Sequence, residues 1–183
     1  MAITKEVLNV SKNKITEFWV SHLIILAGTI IGVYLAASAG LKVAIQFELI
    51  KSDRDSYYMR SALLDELKDN TDTIHKWGTE YRGGKAMKFI GKPKDFKLDT
   101  YVWTTMQDNT GTFEIPSEIL TSVRRYYRDV NIGLSKMTSR EPAAKDVDLM
   151  LEQTKKMKVT TLILLKKDIE GLKQRLEALD VPL

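Results

Sequence analysis

The chain has no cysteine, which excludes disulfides and thiolate metal sites and leaves the compartment open. It has two histidines, His22 and His75. A metal centre wants three or four converging ligands. His75 has only Asp72 at helical spacing, so we read it as a surface or capping residue. No G-x-S-x-G elbow, phosphate loop or G-x-G-x-x-G is present. Arg82-Gly83-Gly84-Lys85 shares the composition of a phosphate loop without its spacing. The inward Glu and Glu-x-x-His pairs of a di-iron bundle are missing as well. The expectation is a protein that is not an enzyme, with no catalytic residues, no cofactor and no metal. Proline and glycine are modest, at 4 and 10, so a long disordered region is not expected. The net charge of +4 is mild, well short of the concentrated charge of a dedicated nucleic-acid binder.

One absence is local. From Phe18 to Leu41 there is no Asp, Glu, Lys or Arg. As a helix this run rises ~36 Å, enough to cross a hydrocarbon core of ~30 Å. Phe18 and Trp19 stand where an interfacial aromatic belt belongs, and Lys42 marks the other edge. A cleaved signal peptide is the rival reading, because Ala37-Ser38-Ala39 resembles a cleavage site. The polar region before the run is long for a signal, however, and apolar character continues through Val43, Ala44, Ile45 and Phe47. We expect a single-pass anchor in the cell membrane over 18–50, after an N-terminal tail, 1–17. Gly28, Gly32, Ala36 and Gly40 recur every four residues and form a small-residue face of the kind on which membrane helices pair. The expected partners are membrane lipid and another transmembrane helix, of a second subunit or a second copy. His22, near one end, is read as interfacial. Lys5, Lys12 and Lys14 precede the run; Lys42, Lys51, Arg54 and Arg60 follow it. The positive-inside count thus favours a cytoplasmic C-terminal part by one charge.

Residues 51–183 read as a soluble helical domain. Apart from the polar stretch Lys51–Ser56, nothing breaks a helix between Lys42 and Trp77, and one long helix is expected to run out of the membrane to about Trp77. Leu63, Leu64, Leu67, Ile74 and Trp77 mark its apolar side, and Gly78 followed by Gly83-Gly84 is expected to end it. Residues 78–97 form a basic, irregular connection carrying Arg82, Lys85, Lys88, Lys92, Lys94 and Lys97. Such a cluster is either a solvated loop or a contact for anionic headgroups, nucleic acid or an acidic partner. A short helix fits Asp99 to Asn109, with Asp99 as N-cap and Tyr101, Val102 and Met106 on its apolar side. Pro116 suits the start of the next helix. There Ile119, Leu120, Val123, Tyr126, Tyr127, Val130, Leu134 and Met137 trace a stripe. Within Arg124-Arg125-Tyr126-Tyr127-Arg128 the tyrosines fall on that stripe, so core packing is preferred to base stacking. After a break at Ser139 to Pro142, a last helix runs to about Leu179. Its seam is Val147, Leu151, Thr154, Thr161, Leu165, Leu172, Leu176 and Leu179, widened by Met150, Leu164 and Ile169. The expected fold is all-α: an N-terminal transmembrane helix continuing into an antiparallel bundle of three long helices and one short one.

Several of these residues carry a resemblance. Leu63-Leu64-Asp65-Glu66-Leu67 with Asn70, Tyr101-Val102-Trp103, Gly111, Ile115-Pro116 with Ile119-Leu120, and Tyr127 with Val130-Asn131 resemble a loose group of uncharacterised single-pass membrane proteins of bacteria and archaea. The resemblance covers roughly 61–131 and implies an anchored helical domain on the cytoplasmic side; it brings no activity with it. The weakly basic juxtamembrane stretch departs from the more familiar members of the group.

From these features we expect a non-catalytic, membrane-anchored accessory or structural subunit, or scaffold, of a membrane complex. The alternatives are a membrane-tethered sensor of a ligand or signal, and a nucleic-acid tether using residues 82–97. A two-span sensor needs a second membrane helix and an output domain, neither of which the sequence contains. Nucleic acid is the less favoured partner.

Overall fold

The computed structural model describes the backbone of residues 3–83, 97–139 and 144–183. Every element in these residues is helical, with no strand. The chain divides into two compact units, Met1–Leu49 and Ile50–Leu183.

Helix α1, Ile3–Arg82, contributes to both. It does not break at Lys51–Ser56, in line with the expected long helix, and the polar side chains there find partners in the second unit. Ser52 and Ser56 donate to Glu114, and Asp53 pairs with Arg175. Nor does it end at Gly78, which is helical and buried. A Cβ at that position would lie 2.7 Å from Leu151 Cδ2. Glycine is there to admit a neighbouring side chain, so the helix runs on to Arg82.

Helix α2, Tyr101–Gln107, is shorter than expected and leads into a 3₁₀ turn, Thr110–Glu114. Tyr101, expected on its apolar side, is 78% exposed, whereas Met106 is buried. Helix α3, Ser117–Ser139, starts just after Pro116, whose carbonyl accepts from the Ile119 and Leu120 amides. Ile119, Val123, Tyr126, Tyr127, Val130 and Leu134 are buried along it and Leu120 is half-buried. The side chain of Met137 and the break at 140–143 lie outside the described residues.

The last helical stretch is α4, Ala144–Lys156, a π-helical turn at Met157–Thr161, and α5, Leu162–Glu177. The π turn has a cause in the packing. Met157, Thr161, Leu165 and Ile169 are buried at successive steps of four. Three α-helical turns take only ~10.8 residues, so this stretch holds about one residue more than a straight helix keeps on one face. An i→i+5 turn absorbs the surplus, and the Leu162 amide bonds to the Met157 carbonyl accordingly. Met157 belongs to the seam and was missed. Leu179, expected to end it, is 55% exposed, and the buried stripe stops at Leu176.

The core of the second unit joins Leu63, Leu67, Ile74 and Trp77 of α1 to the stripes of α3, α4 and α5. Helix α4 packs closely on two glycines: Leu151 against Gly78, and Met150 against Gly133 of α3. Four ion pairs link α1 to the last helical stretch: Asp53–Arg175, Arg60–Asp168, Asp72–Lys158 and Arg82–Asp148.

Candidate functional site: an open apolar helix and a buried polar network

The apolar run of α1 is long and apolar enough to cross a membrane, and none of its most apolar stretch is buried within the protein. Leu23, Ile24, Ile25, Ile30 and Ile31 are all more than half exposed. Three of the polar groups in this run bond to their own helix. His22 Nδ1 lies 2.8 Å from the Phe18 carbonyl, Thr29 donates to Ile25 and Ser38 to Leu35. A polar group satisfied this way does not require water. Along the small-residue face, nothing lies within 4 Å of where a Cβ would stand on Gly28, Gly32 or Gly40, and Ala36 is exposed.

The basic residues of 78–97 are only partly described. Arg82 sits at the end of α1 and pairs with Asp148 at 3.0 Å, and Lys97 is exposed. Lys85, Lys88, Lys92 and Lys94 lie outside the described residues. Beside Arg82 a cleft of about 860 Å³ opens between α1 and α4, lined by His75, Asp148, Glu152, Lys155 and Lys158 among others. Its walls carry both signs of charge, with no surplus that singles out an anion or a cation. Asp72 pairs with Lys158 rather than with His75. No group of three metal-ligating side chains occurs among the described residues.

The most constrained polar chemistry is internal. Glu66, 6% exposed on α1, receives the first turn of α2. Its carboxylate accepts from the Val102 amide at 2.6 Å, the Trp103 amide at 3.1 Å and the Tyr127 hydroxyl at 2.5 Å. Asn70, one helical turn on, accepts from the Asp99 amide and donates to the Asp99 carbonyl. Among the described residues, the Asp99 carboxylate reaches the Tyr101 amide, at 3.1 Å. The cap expected from Asp99 thus comes largely from α1, and orphan amides of a helix start are met by a buried charge from another helix. Trp103 stacks on Tyr127 with ring centroids 5.6 Å apart.

A second buried charge, Arg60, lies 2.7 Å from Asp168 and 3.9 Å from Glu114, the carboxylate that Ser52 and Ser56 also reach. Composition and periodicity give neither cluster. Glu66 and Asn70 entered through the resemblance, Tyr127 through the resemblance and as a packing position of the α3 stripe, and Arg60 as a charge in the topology count.

Burial pushes the Tyr126 hydroxyl up to about 12, against a smaller opposing effect of the neighbouring Thr154 hydroxyl. These two buried hydroxyls lie close without the geometry of a full hydrogen bond. Tyr127 is raised further, first by burial and then by its bond to the Glu66 carboxylate. The remaining tyrosine–arginine motif divides as its periodicity predicts: both tyrosines are buried, while Arg124, Arg125 and Arg128 are exposed.

No family model matches this chain, and no curated protein or solved structure matches it.

Proposed function

We propose that this protein is a non-catalytic, single-pass membrane protein whose apolar helix anchors it and docks on a second membrane helix, as an accessory or structural subunit of a membrane complex. The observation that carries the reading is the unburied apolar run of α1. A helix that is hydrophobic all round needs lipid or protein around it, and the described residues of this chain supply neither. In a bilayer there is little hydrophobic drive between helices, so association favours places where backbones approach closely. The open positions at Gly28, Gly32 and Gly40 fit that requirement.

In this reading the second unit is an antiparallel helical bundle standing on the cytoplasmic side. The ion-pair register supports the antiparallel part. From Asp53 through Arg60 and Asp72 to Arg82, residue numbers rise along α1 while their partners fall from Arg175 to Asp148. The one-charge excess of Lys and Arg after the run supports the cytoplasmic side.

The test compares Gly32→Leu with Ile31→Leu. Both variants stay apolar and insert. A leucine at position 32 holds the backbones apart, and a gap of even ~1 Å loses much of the dispersion attraction. Gly32→Leu is expected to lose co-purification of the partner, or self-crosslinking if the partner is a second copy, while Ile31→Leu retains it. Equal recovery from both would reduce the anchor to a tether. Release of the protein from membranes by alkaline carbonate would remove the anchor itself.

A further inference from the structure

The end of the second unit at which Ile50 enters carries two large apolar side chains in solvent, and both are held there by specific backbone geometry. Phe113 is 84% exposed. It sits in the Thr110–Glu114 turn, whose flanks are pinned on both sides. Asn109 accepts from the Gly111 amide, Thr112 donates to the Met106 carbonyl, and Glu114 accepts from Ser52 and Ser56 of α1. Leu179 is 55% exposed and lies one turn beyond Arg175, the partner of Asp53. The chain there closes in a Schellman turn. The Val181 amide bonds to the Leu176 carbonyl and the Asp180 amide to that of Glu177, with Asp180 in the left-handed region at φ 54°. Through their partners Ser52 and Asp53, both apolar groups belong to the level of α1 that begins at Ile50.

We propose that this end of the helical unit rests on the bilayer interface and inserts Phe113 and Leu179 among the lipids. The proposal builds on the anchor reading above. Helix α1 has further apolar side chains in the open just before Ile50, with Phe47 68% and Leu49 63% exposed. From Phe18 to Ile50 the helix rises ~50 Å, against ~40–45 Å for a bilayer with its headgroups. With ordinary tilt, which shortens that rise along the membrane normal, Ile50 falls at the headgroup layer, and Lys42 snorkels within it. Charges at this end are of both signs: Lys51, Arg54 and Asp55 on α1 are exposed, as is Asp180 next to Leu179. The contact is therefore an apolar one with the interface of a zwitterionic membrane, distinct from a polybasic attraction to anionic headgroups.

Because the chain has no cysteine, single labels are clean. Phe113→Cys, Leu179→Cys, Ile163→Cys and Leu35→Cys, each in the full chain, would carry an environment-sensitive fluorophore in phosphatidylcholine vesicles. Lipids bearing a nitroxide near the headgroup serve as quencher. Ile163 is the control, apolar and 61% exposed but remote from this end; Leu35 reports the anchor. Labels at 113 and 179 are expected to shift to the blue and to be quenched by the lipid nitroxide, while the label at 163 is not. The quenching is expected to persist without anionic lipid. Labels at 113 and 179 that behave like 163, with 35 still in the acyl region, overturn the proposal and leave the anchor standing. A blue shift at 113 and 179 without lipid quenching also overturns it, because the cover is then a second copy of the chain. Loss of the acyl-region signature at 35 overturns the anchor reading and this proposal with it.

Discussion

Glu66 is the residue whose removal tests the second unit most sharply. Helix α2 has seven residues, too few to be stable alone, so its place depends on what holds it. Glu66→Ala strips three donors of their acceptor: the Val102 and Trp103 amides and the Tyr127 hydroxyl. A hydrogen bond to a charged group contributes ~1.5–3 kcal/mol, and an orphaned buried group costs ~1–3 kcal/mol. Partial re-entry of water relieves some of this, which leaves a loss of about 4 kcal/mol. That is a large share of the ~5–15 kcal/mol of a typical domain. Glu66→Gln keeps the shape but presents an amide N–H₂ to a site built of donors, and is expected to cost about 2 kcal/mol. Tyr127→Phe removes one donor and costs about 1.5 kcal/mol. Chemical unfolding of the full chain in mild detergent measures all three. The double variant Glu66→Gln/Tyr127→Phe is expected to fall short of the sum of the singles by about 1 kcal/mol, since the two groups share a bond. Amide hydrogen exchange supplies the local readout: residues 101–107 are expected to lose protection in Glu66→Ala ahead of α3. Protection of α2 unchanged in Glu66→Ala, or strict additivity in the cycle, would refute the reasoning.

Three further outcomes are expected. Tyr126, held at about 12 against an ordinary 10.0, and Tyr127, raised in the same direction, ionise in the unfolded chain before they do in the folded one. Stability is therefore full below about pH 10 and falls as pH climbs toward the folded values, by ~1.4 kcal/mol per unit per tyrosine; Tyr126→Phe flattens that loss in an alkaline unfolding series. Asp180→Gly relieves a left-handed backbone that glycine adopts freely and is expected to add ~0.5–1 kcal/mol, read as a higher midpoint in thermal unfolding. Gly78→Ala brings a Cβ to 2.7 Å from Leu151; overpacking of ~1–3 kcal/mol outweighs a helix-propensity gain of ~1 kcal/mol, so a lower midpoint is expected where an exposed helical glycine would give a higher one.

The helices were legible because burial repeats along them. Leu63, Leu67, Ile74 and Trp77 on α1, and Val123, Tyr127, Val130 and Leu134 on α3, are all buried as their spacing predicts. The long helix through Lys51–Ser56 was legible too, although its polar partners Glu114 and Arg175 were not. Boundaries were less legible where a glycine was met by a partner distant in sequence: Gly78 reads as a stop until Leu151 is known to occupy its missing side chain. The π turn shows the same limit. Thr161, Leu165 and Ile169 stand at steps of four in the expected seam, but a straight helix whose face drifts and a bulged one whose face is restored share that pattern.

The buried charges show why the chemistry of the second unit was harder to read than its packing. Glu66 and Arg60 are single ionisable residues on an otherwise amphipathic helix, where a charge ordinarily faces water. What distinguishes them is the geometry of their partners, 36 to 108 residues away along the chain. Once placed, both are explained by packing: one caps α2, the other ties α1 to α5 and to the turn that presents Phe113. Glu66, Asn70, Val102, Trp103 and Tyr127, the residues of the resemblance that meet in this network, hold one helix against another. In the proposed reading, recognition belongs to the surfaces that packing has not used. Among the described residues the exposed run of α1 is one such surface, and Phe113 and Leu179 are exposed in the second unit. In the proposed reading, function therefore lies outside the core, on a helix surface of simple composition that membrane and partner would cover.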